Sequence, residues 1–105
     1  MSARSASAPG QPLFLTVEDL GDPRVSVSSP LRVEVRWEPE GTTVYHPESD
    51  VFGYGKDEAE ALGDFRAALA ELFVTLDNDR GSLGPALQGT LQILESHLHR
   101  RPQRS

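Results

Sequence analysis

Strict alternation of apolar and charged residues over residues 31–38 constrains this chain more than any other feature. Charged residues fill the positions between the apolar ones, which are Leu31, Val33, Val35 and Trp37. Successive side chains of a strand point to opposite faces, so the pattern predicts a strand with one covered and one polar face. Such strands are typical of antiparallel sheets.

Further extended segments flank this strand. The chain from residue 20 to residue 30 is rich in Gly, Pro and Ser and indicates a loop, in which Val25 and Val27 could pair briefly. The other segments are predicted as a strand at residues 12–18, a turn at 39–41, a return strand at 42–46 and a short strand at 51–55.

Two amphipathic helices are predicted after the strands. Asp57 is suited to cap the first helix, and Glu60 stands three residues on, as in a capping box. Its apolar stripe is Leu62, Phe65, Leu69, Leu72 and Leu76. The second helix is predicted to begin at a Ser82 cap, and its stripe is Leu83, Leu87, Leu91, Leu94 and Leu98.

Strands that precede helices favour an α+β fold. We expect a three- to four-stranded antiparallel sheet packed by one main helix, with a second amphipathic helix C-terminal to it. Residues 12–99 form the predicted single domain, and residues 1–11 and the basic residues 100–105 are predicted to be disordered tails. A core this small leaves the second helix in need of cover, so we expect a homodimer or a higher homo-oligomer.

The charge distribution favours a basic partner protein. The chain has 105 residues, no cysteine and a formal net charge of -6. Four of its 10 basic residues lie in the predicted tails, so residues 11–99 carry six basic groups against 16 acidic ones. Direct nucleic-acid binding by this core is disfavoured, because an acidic surface repels phosphates. The sequence contains neither a membrane-spanning run nor a secretory signal, and we expect a cytoplasmic protein.

Polar clusters offer little chemistry in the sequence. His46, Glu48 and Asp50 could bind a metal, but they lie in a predicted loop, and no second cluster completes a ligand set. His97 and His99 lie two positions apart in the predicted second helix, where they would point to different faces as surface residues. The prediction is therefore no metal.

Catalysis and cofactor binding are not expected either. Gly53 and Gly55 precede a helix, but no Lys-Ser/Thr pair follows, and the helix start is acidic, which would repel a phosphate. The sequence also lacks a Gly-x-Ser-x-Gly motif. The chain is predicted not to be an enzyme and to need no cofactor.

The polar face of the sheet is the predicted partner interface. Tyr45 should share that face with Arg32 and Arg36, and Tyr54 of the next strand is included with them. Arg and Tyr are favoured at protein interfaces. The alternative is an ordinary exposed strand face.

The stretch Gly55-Lys56-Asp57-Glu58-Ala59-Glu60-Ala61 resembles the helix opening of the HicB-like antitoxin family. Gly53, Gly55, Asp57, Glu60 and Ala61 are the structural positions of this motif. The resemblance implies a β-β-β-α unit of partial RNase H-like fold without catalytic residues, which masks a small basic HicA-type toxin. Pro47-Glu48-Ser49-Asp50 replaces the family's Pro-Asp-Leu-Pro-Gly segment, and no DNA-binding domain follows.

Two other functions stay open at this point. One is a solitary homo-oligomeric structural or adaptor protein, in which the second helix mediates assembly. The other is a metal-dependent enzyme centred on His46, Glu48 and Asp50.

Overall fold

A computed structural model describes residues 13–102 and confirms the α+β class. The elements are the strands β1 (Leu13–Val17), β2 (Val25–Val27), β3 (Leu31–Glu38), β4 (Gly41–His46) and β5 (Val51–Gly55), the helix α1 (Glu58–Asn78), a 3-10 turn (Arg80–Ser82), the helix α2 (Pro85–Glu95) and the strand β6 (Leu98–Arg100). The predicted disorder of residues 1–11 lies outside the described residues.

Four strands form one antiparallel sheet in the order β1-β3-β4-β5. The register places Leu15 opposite Val33 and Val35 opposite Val44, so apolar residues line one face together. This face packs against α1, and Val33, Val35 and Val44 have no exposed surface. One face of β3 is therefore covered, as the alternation in its sequence predicts.

Capping at the start of α1 occurs as the sequence predicts. The Asp57 carboxylate accepts a hydrogen bond from the Glu60 backbone N–H at 2.9 Å. The Glu60 carboxylate in turn accepts one from the Lys56 N–H at 2.7 Å. These bonds satisfy two backbone donors that the helix and its approach leave without a partner.

The buried face of α1 is rotated from the predicted stripe. Leu62 and Leu72 are only partly buried. Phe65, Leu69 and Leu76 of the predicted stripe are buried, and the other buried positions are Ala61, Ala70, Phe73 and Val74. The small Ala61 faces the sheet because the helix comes closest to it there.

Two glycines permit this close approach. A Cβ atom on Gly53 would lie 2.3 Å from the Phe65 backbone nitrogen and 2.4 Å from the Ala61 carbonyl oxygen. One on Gly55 would lie 2.5 Å from the Ala61 nitrogen. Both atoms that oppose Gly53 belong to helical backbone, so the glycines of the motif have a packing role.

The C-terminal third differs from the sequence prediction. Gly84 rather than Ser82 is the N-cap of α2, and the helix ends at Glu95. Leu98 begins β6, which pairs with β2 and places Val25 opposite Arg100. The spacing of Leu98 continues the apolar stripe of α2, but pairing with β2 makes this residue part of a strand. The side chain of Leu98 is 1% exposed in the two-stranded β2–β6 ribbon.

The predicted basic tail is part of the fold at its first two residues. Arg100 Nη1 donates to Asp77 Oδ2 at 3.0 Å. The Arg101 N–H donates to the Arg24 carbonyl oxygen at 2.9 Å. The prediction that disorder begins at residue 100 is therefore wrong, and residues 103–105 lie outside the described part.

No helix within residues 13–102 has the length and apolar character needed to cross a membrane.

Candidate functional site

The sheet face opposite α1 carries aromatic and arginine side chains. It is called here the open sheet face and comprises Phe14, Arg32, Arg36, Tyr45, Phe52 and Tyr54. Phe52 and Tyr54 are 56% and 55% exposed. Alternation along β1, β3, β4 and β5 places all six on one face, since their neighbours in each strand point toward α1.

Aromatic stacking orders one half of this face. The rings of Tyr45 and Phe52, which are opposite one another in β4 and β5, stack at a centroid distance of 4.5 Å. Tyr54 Oη donates to the Glu40 carbonyl oxygen at 2.7 Å. These contacts hold the rings in place, so they form a preorganised apolar surface.

Carboxylates surround the aromatic residues. Tyr45 Oη donates to Asp50 Oδ1 at 2.8 Å, and this hydrogen bond raises the pKa of Tyr45. Asp64 Oδ2 accepts from the Tyr54 N–H at 2.9 Å, and Glu34 lies opposite Tyr45 in the register. Asp50 and Asp64 thus form an acidic rim beside the aromatic residues, whereas Glu34 is paired with Arg36 on the same face, at 3.7 Å.

The other half of the open sheet face borders a cavity. The Arg32 guanidinium lies over the Phe14 ring, 4.5 Å from its centroid, in a cation–π contact. The cavity has a volume of about 280 Å³ and is lined by Phe14, Pro30, Arg32, Pro47, Glu48 and His97. The cavity lies between the sheet residues Phe14 and Arg32 and His97, which belongs to the segment between α2 and β6.

His46, Glu48 and His97 form a polar cluster behind this cavity, called here the His-Glu-His cluster. Glu48 Oε1 lies 3.4 Å from His46 Nε2 and 3.1 Å from His97 Nε2. The two imidazole rings stand edge to face with centroids 5.7 Å apart. One ligand atom from each residue lies within 4.8 Å of the other two.

Each histidine of the cluster is held through its other nitrogen. His97 Nδ1–H donates to the Ser29 carbonyl oxygen at 3.0 Å. His46 Nδ1 lies 2.6 Å from Ser49 Oγ. Burial of His46, together with the neighbouring His97, lowers the pKa of its imidazole and outweighs the opposite effect of Glu48. The neutral imidazole is the form that binds metals.

Asp50 does not belong to this cluster, although the sequence groups it with His46 and Glu48. Its backbone has a φ of 62°, and its carboxylate turns to Tyr45 on the open sheet face. His97, in contrast, is predicted to be a surface residue of a helix, yet its side chain is only 16% exposed. Because α2 stops at Glu95, His97 reaches the sheet while His99 stays exposed.

The predicted interface residues Arg32, Arg36, Tyr45 and Tyr54 do share one face. The sequence prediction missed Phe14 and Phe52, and the same period-two alternation in β1 and β5 would have found them. It also missed His97 as a partner of His46, since 51 positions separate the two residues and no local pattern connects them.

The fold and site define a small α+β domain with an open aromatic sheet face and a histidine-carboxylate cluster. No protein-family model, curated protein or solved structure matches this chain.

Proposed function

We propose that the chain is a non-catalytic protein-binding module that acts as HicB-like antitoxins do, by covering a small basic partner. The open sheet face carries this proposal. Its aromatic centre and acidic rim are the arrangement that a partner with a basic, RNA-binding face would complement.

The mechanism is occlusion. Stacked Tyr45 and Phe52 supply rigid apolar area that loses little side-chain entropy on binding. Asp50 and Asp64 would meet basic groups of the partner and deny them to RNA phosphates. The net charge of -6 speeds the encounter with a basic protein and repels nucleic acid.

The resemblance to HicB-like antitoxins supports the same partner class. The capping residue Asp57 and the close contact between Gly55 and Ala61 give the motif a structural role in a β-β-β-α unit. In that family the partner is a small basic HicA-type toxin that cleaves mRNA.

The test is affinity capture from the source organism with three baits. These are the wild type, the double variant Tyr45→Ala/Phe52→Ala, and the control Leu87→Ala, which removes a 47% exposed leucine from α2. The wild type and the control should each retain one small basic protein in stoichiometric amount. The double variant should lose it, and about 0.5 M NaCl should weaken the complex, since salt screens exposed charges.

A ribonuclease assay completes the test. The purified partner should cleave RNA, and the wild type should inhibit the cleavage at a 1:1 ratio while the double variant does not. Capture of no basic protein, or equal capture by all three baits, would show the proposal to be wrong.

A second candidate is a solitary homo-oligomeric adaptor. One observation favours it: β1 lies at the edge of the sheet, and its Leu13 and Phe14 are 41% and 45% exposed. Exposed edge strands pair with other chains. Sedimentation of the purified protein would show a dimer or higher oligomer at micromolar concentration, and Leu13→Lys would shift it to monomer.

A further inference from the structure

The His-Glu-His cluster places acceptor atoms against one another. A backbone carbonyl can only accept, so the contact with Ser29 requires the proton of His97 to be on Nδ1. In the neutral ring, Nε2 then carries a lone pair, and it faces Glu48 Oε1 at 3.1 Å. A proton or a metal ion between the two atoms makes this contact favourable.

An imidazole nitrogen of His46 also lies close to the same Glu48 oxygen. Its Nε2 lies 3.4 Å from Glu48 Oε1, and its side chain is 1% exposed. Its Nδ1 lies 2.6 Å from Ser49 Oγ, and the hydroxyl can donate to that nitrogen or accept from it. When the proton of His46 is on Nδ1, its Nε2 lone pair faces the same carboxylate oxygen as that of His97.

The spacing of the three residues suits a metal ion. Zn²⁺ binds His nitrogen and carboxylate oxygen at about 2.0–2.2 Å, and tetrahedral ligands at that range lie about 3.3–3.5 Å apart. The observed separations from Glu48 Oε1 are 3.1 and 3.4 Å. Metal-binding histidines characteristically donate their other N–H to a carbonyl, carboxylate or water, as His97 does to Ser29.

We propose that His46, Glu48 and His97 bind one Zn²⁺ ion through the two Nε2 atoms and the Glu48 carboxylate. The fourth position opens to the cavity, because Glu48 and His97 both line its wall. A water molecule or an anionic ligand takes that position, and Arg32, which also lines the cavity, provides a positive charge that attracts an anion. Sites with three protein ligands and one open position differ in this way from closed structural zinc sites.

The test is titration of untagged, chelator-treated protein with ZnCl₂ in a calorimeter, followed by elemental analysis after dialysis. The wild type should bind one zinc ion per chain. Glu48→Gln and His97→Ala should weaken binding by at least about 100-fold, and Ser49→Ala by about 10-fold through looser orientation of His46. Glu48 is 63% exposed, so its replacement leaves the fold intact.

Two control variants separate this site from other arrangements. His99→Ala removes an exposed histidine two positions from His97 and should leave the zinc affinity unchanged. Asp50→Asn should also leave it unchanged, whereas a site built from His46, Glu48 and Asp50 would lose affinity. Bound Co²⁺ should give the visible absorption of tetrahedral coordination in the wild type and both controls.

Three results would overturn the proposal. They are substoichiometric zinc in the wild type, wild-type affinity in both Glu48→Gln and His97→Ala, and loss of affinity in either control. Circular dichroism of each variant shows that a loss of binding is not a loss of structure.

Discussion

At Gly53, the sheet and α1 approach one another so closely that no space remains for a methyl group. The opposing atoms are the backbone nitrogen of Phe65 and the carbonyl oxygen of Ala61. Backbone atoms in the middle of a helix cannot rotate away as the end of a side chain can. A single added carbon must therefore move the whole of α1.

Gly53→Ala is expected to lower the free energy of unfolding by about 3 kcal/mol, at the upper end of what overpacking costs. Urea denaturation followed by circular dichroism measures the change. Gly63→Ala is the matched control within α1, where an added Cβ meets nothing within 4 Å. It should raise stability by about 0.5–1 kcal/mol, because alanine is the better helix former. Equal effects of the two substitutions would contradict the packing argument.

At the scale of the elements, two arginine side chains bind Asp77 at the C-terminal end of α1. Asp77 lies in the last turn of α1, where a negative charge is unfavourable to the helix dipole. Its Oδ1 accepts from Arg80 Nη2 at 2.5 Å, and its Oδ2 accepts from Arg100 Nη1 at 3.0 Å. The hydrogen bond from Arg80 is the main reason that the pKa of Asp77 is lowered from 3.8. Asp77 thereby joins α1 to β6.

Asp77→Asn is expected to lower the free energy of unfolding at pH 7 by about 1 kcal/mol. The pKa of Asp77 is lower in the folded state than in the unfolded chain, so its contribution is present above the unfolded pKa. It is lost as the pH falls through the folded pKa. The difference between wild type and variant should therefore vanish between about pH 5 and pH 2.

The measurement is urea denaturation at a series of pH values. Asp79→Asn serves as the control, since it removes the same charge two residues further on, at the C-cap. A difference that persists unchanged at about pH 2 would show that the ion pairs do not hold the two elements together.

The pairing of β6 with β2 gives a further prediction at this scale. Leu98 is 1% exposed in β6, whereas Leu87 on α2 is 47% exposed. Leu98→Ala should lower the free energy of unfolding by about 3 kcal/mol, because it leaves a cavity in the core. Leu87→Ala should change it by less than about 0.5 kcal/mol. Thermal denaturation of the two variants compares them directly, and similar values would favour the single helical stripe that the sequence suggests.

Short sequence patterns predicted those elements that depend on residues close to one another in the sequence. Alternation identified β3 and part of the open sheet face, without Phe14 and Phe52, and the Asp57–Glu60 box located the start of α1. The end of α2 was missed because Leu98 continues a helical spacing, and only pairing with distant β2 makes it a strand. His46 and Glu48 were grouped from the sequence, but His97 was missed for the same reason, since it comes to Glu48 through that pairing.

For the whole molecule, the cluster brings together residues that lie far apart in the sequence. His46 and Glu48 belong to the end of β4 and the following turn, and His97 lies between α2 and β6. A metal bound there would link the sheet to the C-terminal segment. Binding to the folded state alone stabilises that state in proportion to the logarithm of the free ligand concentration.

Zinc at about 100 times its dissociation constant should therefore raise the free energy of unfolding by about 2.7 kcal/mol. For a domain of this size the Tm should rise by about 10 °C or more. Differential scanning calorimetry with and without ZnCl₂ measures the shift, and a chelator should reverse it. Glu48→Gln binds at least about 100-fold more weakly, so zinc at this concentration should stabilise it by about 0.4 kcal/mol at most. A shift of wild-type size in that variant would place the metal elsewhere.

The pairing of β2 with β6 also affects the order in which the chain can fold during translation. Val25 pairs with Arg100, so β2 leaves the ribosome long before its partner exists. The hairpins of β3, β4 and β5 and the helix α1 use contacts close in sequence and are able to form during translation. His97 joins His46 and Glu48 only when the ribbon closes. We therefore expect the nascent protein to acquire its sheet and main helix first and its complete histidine pair last.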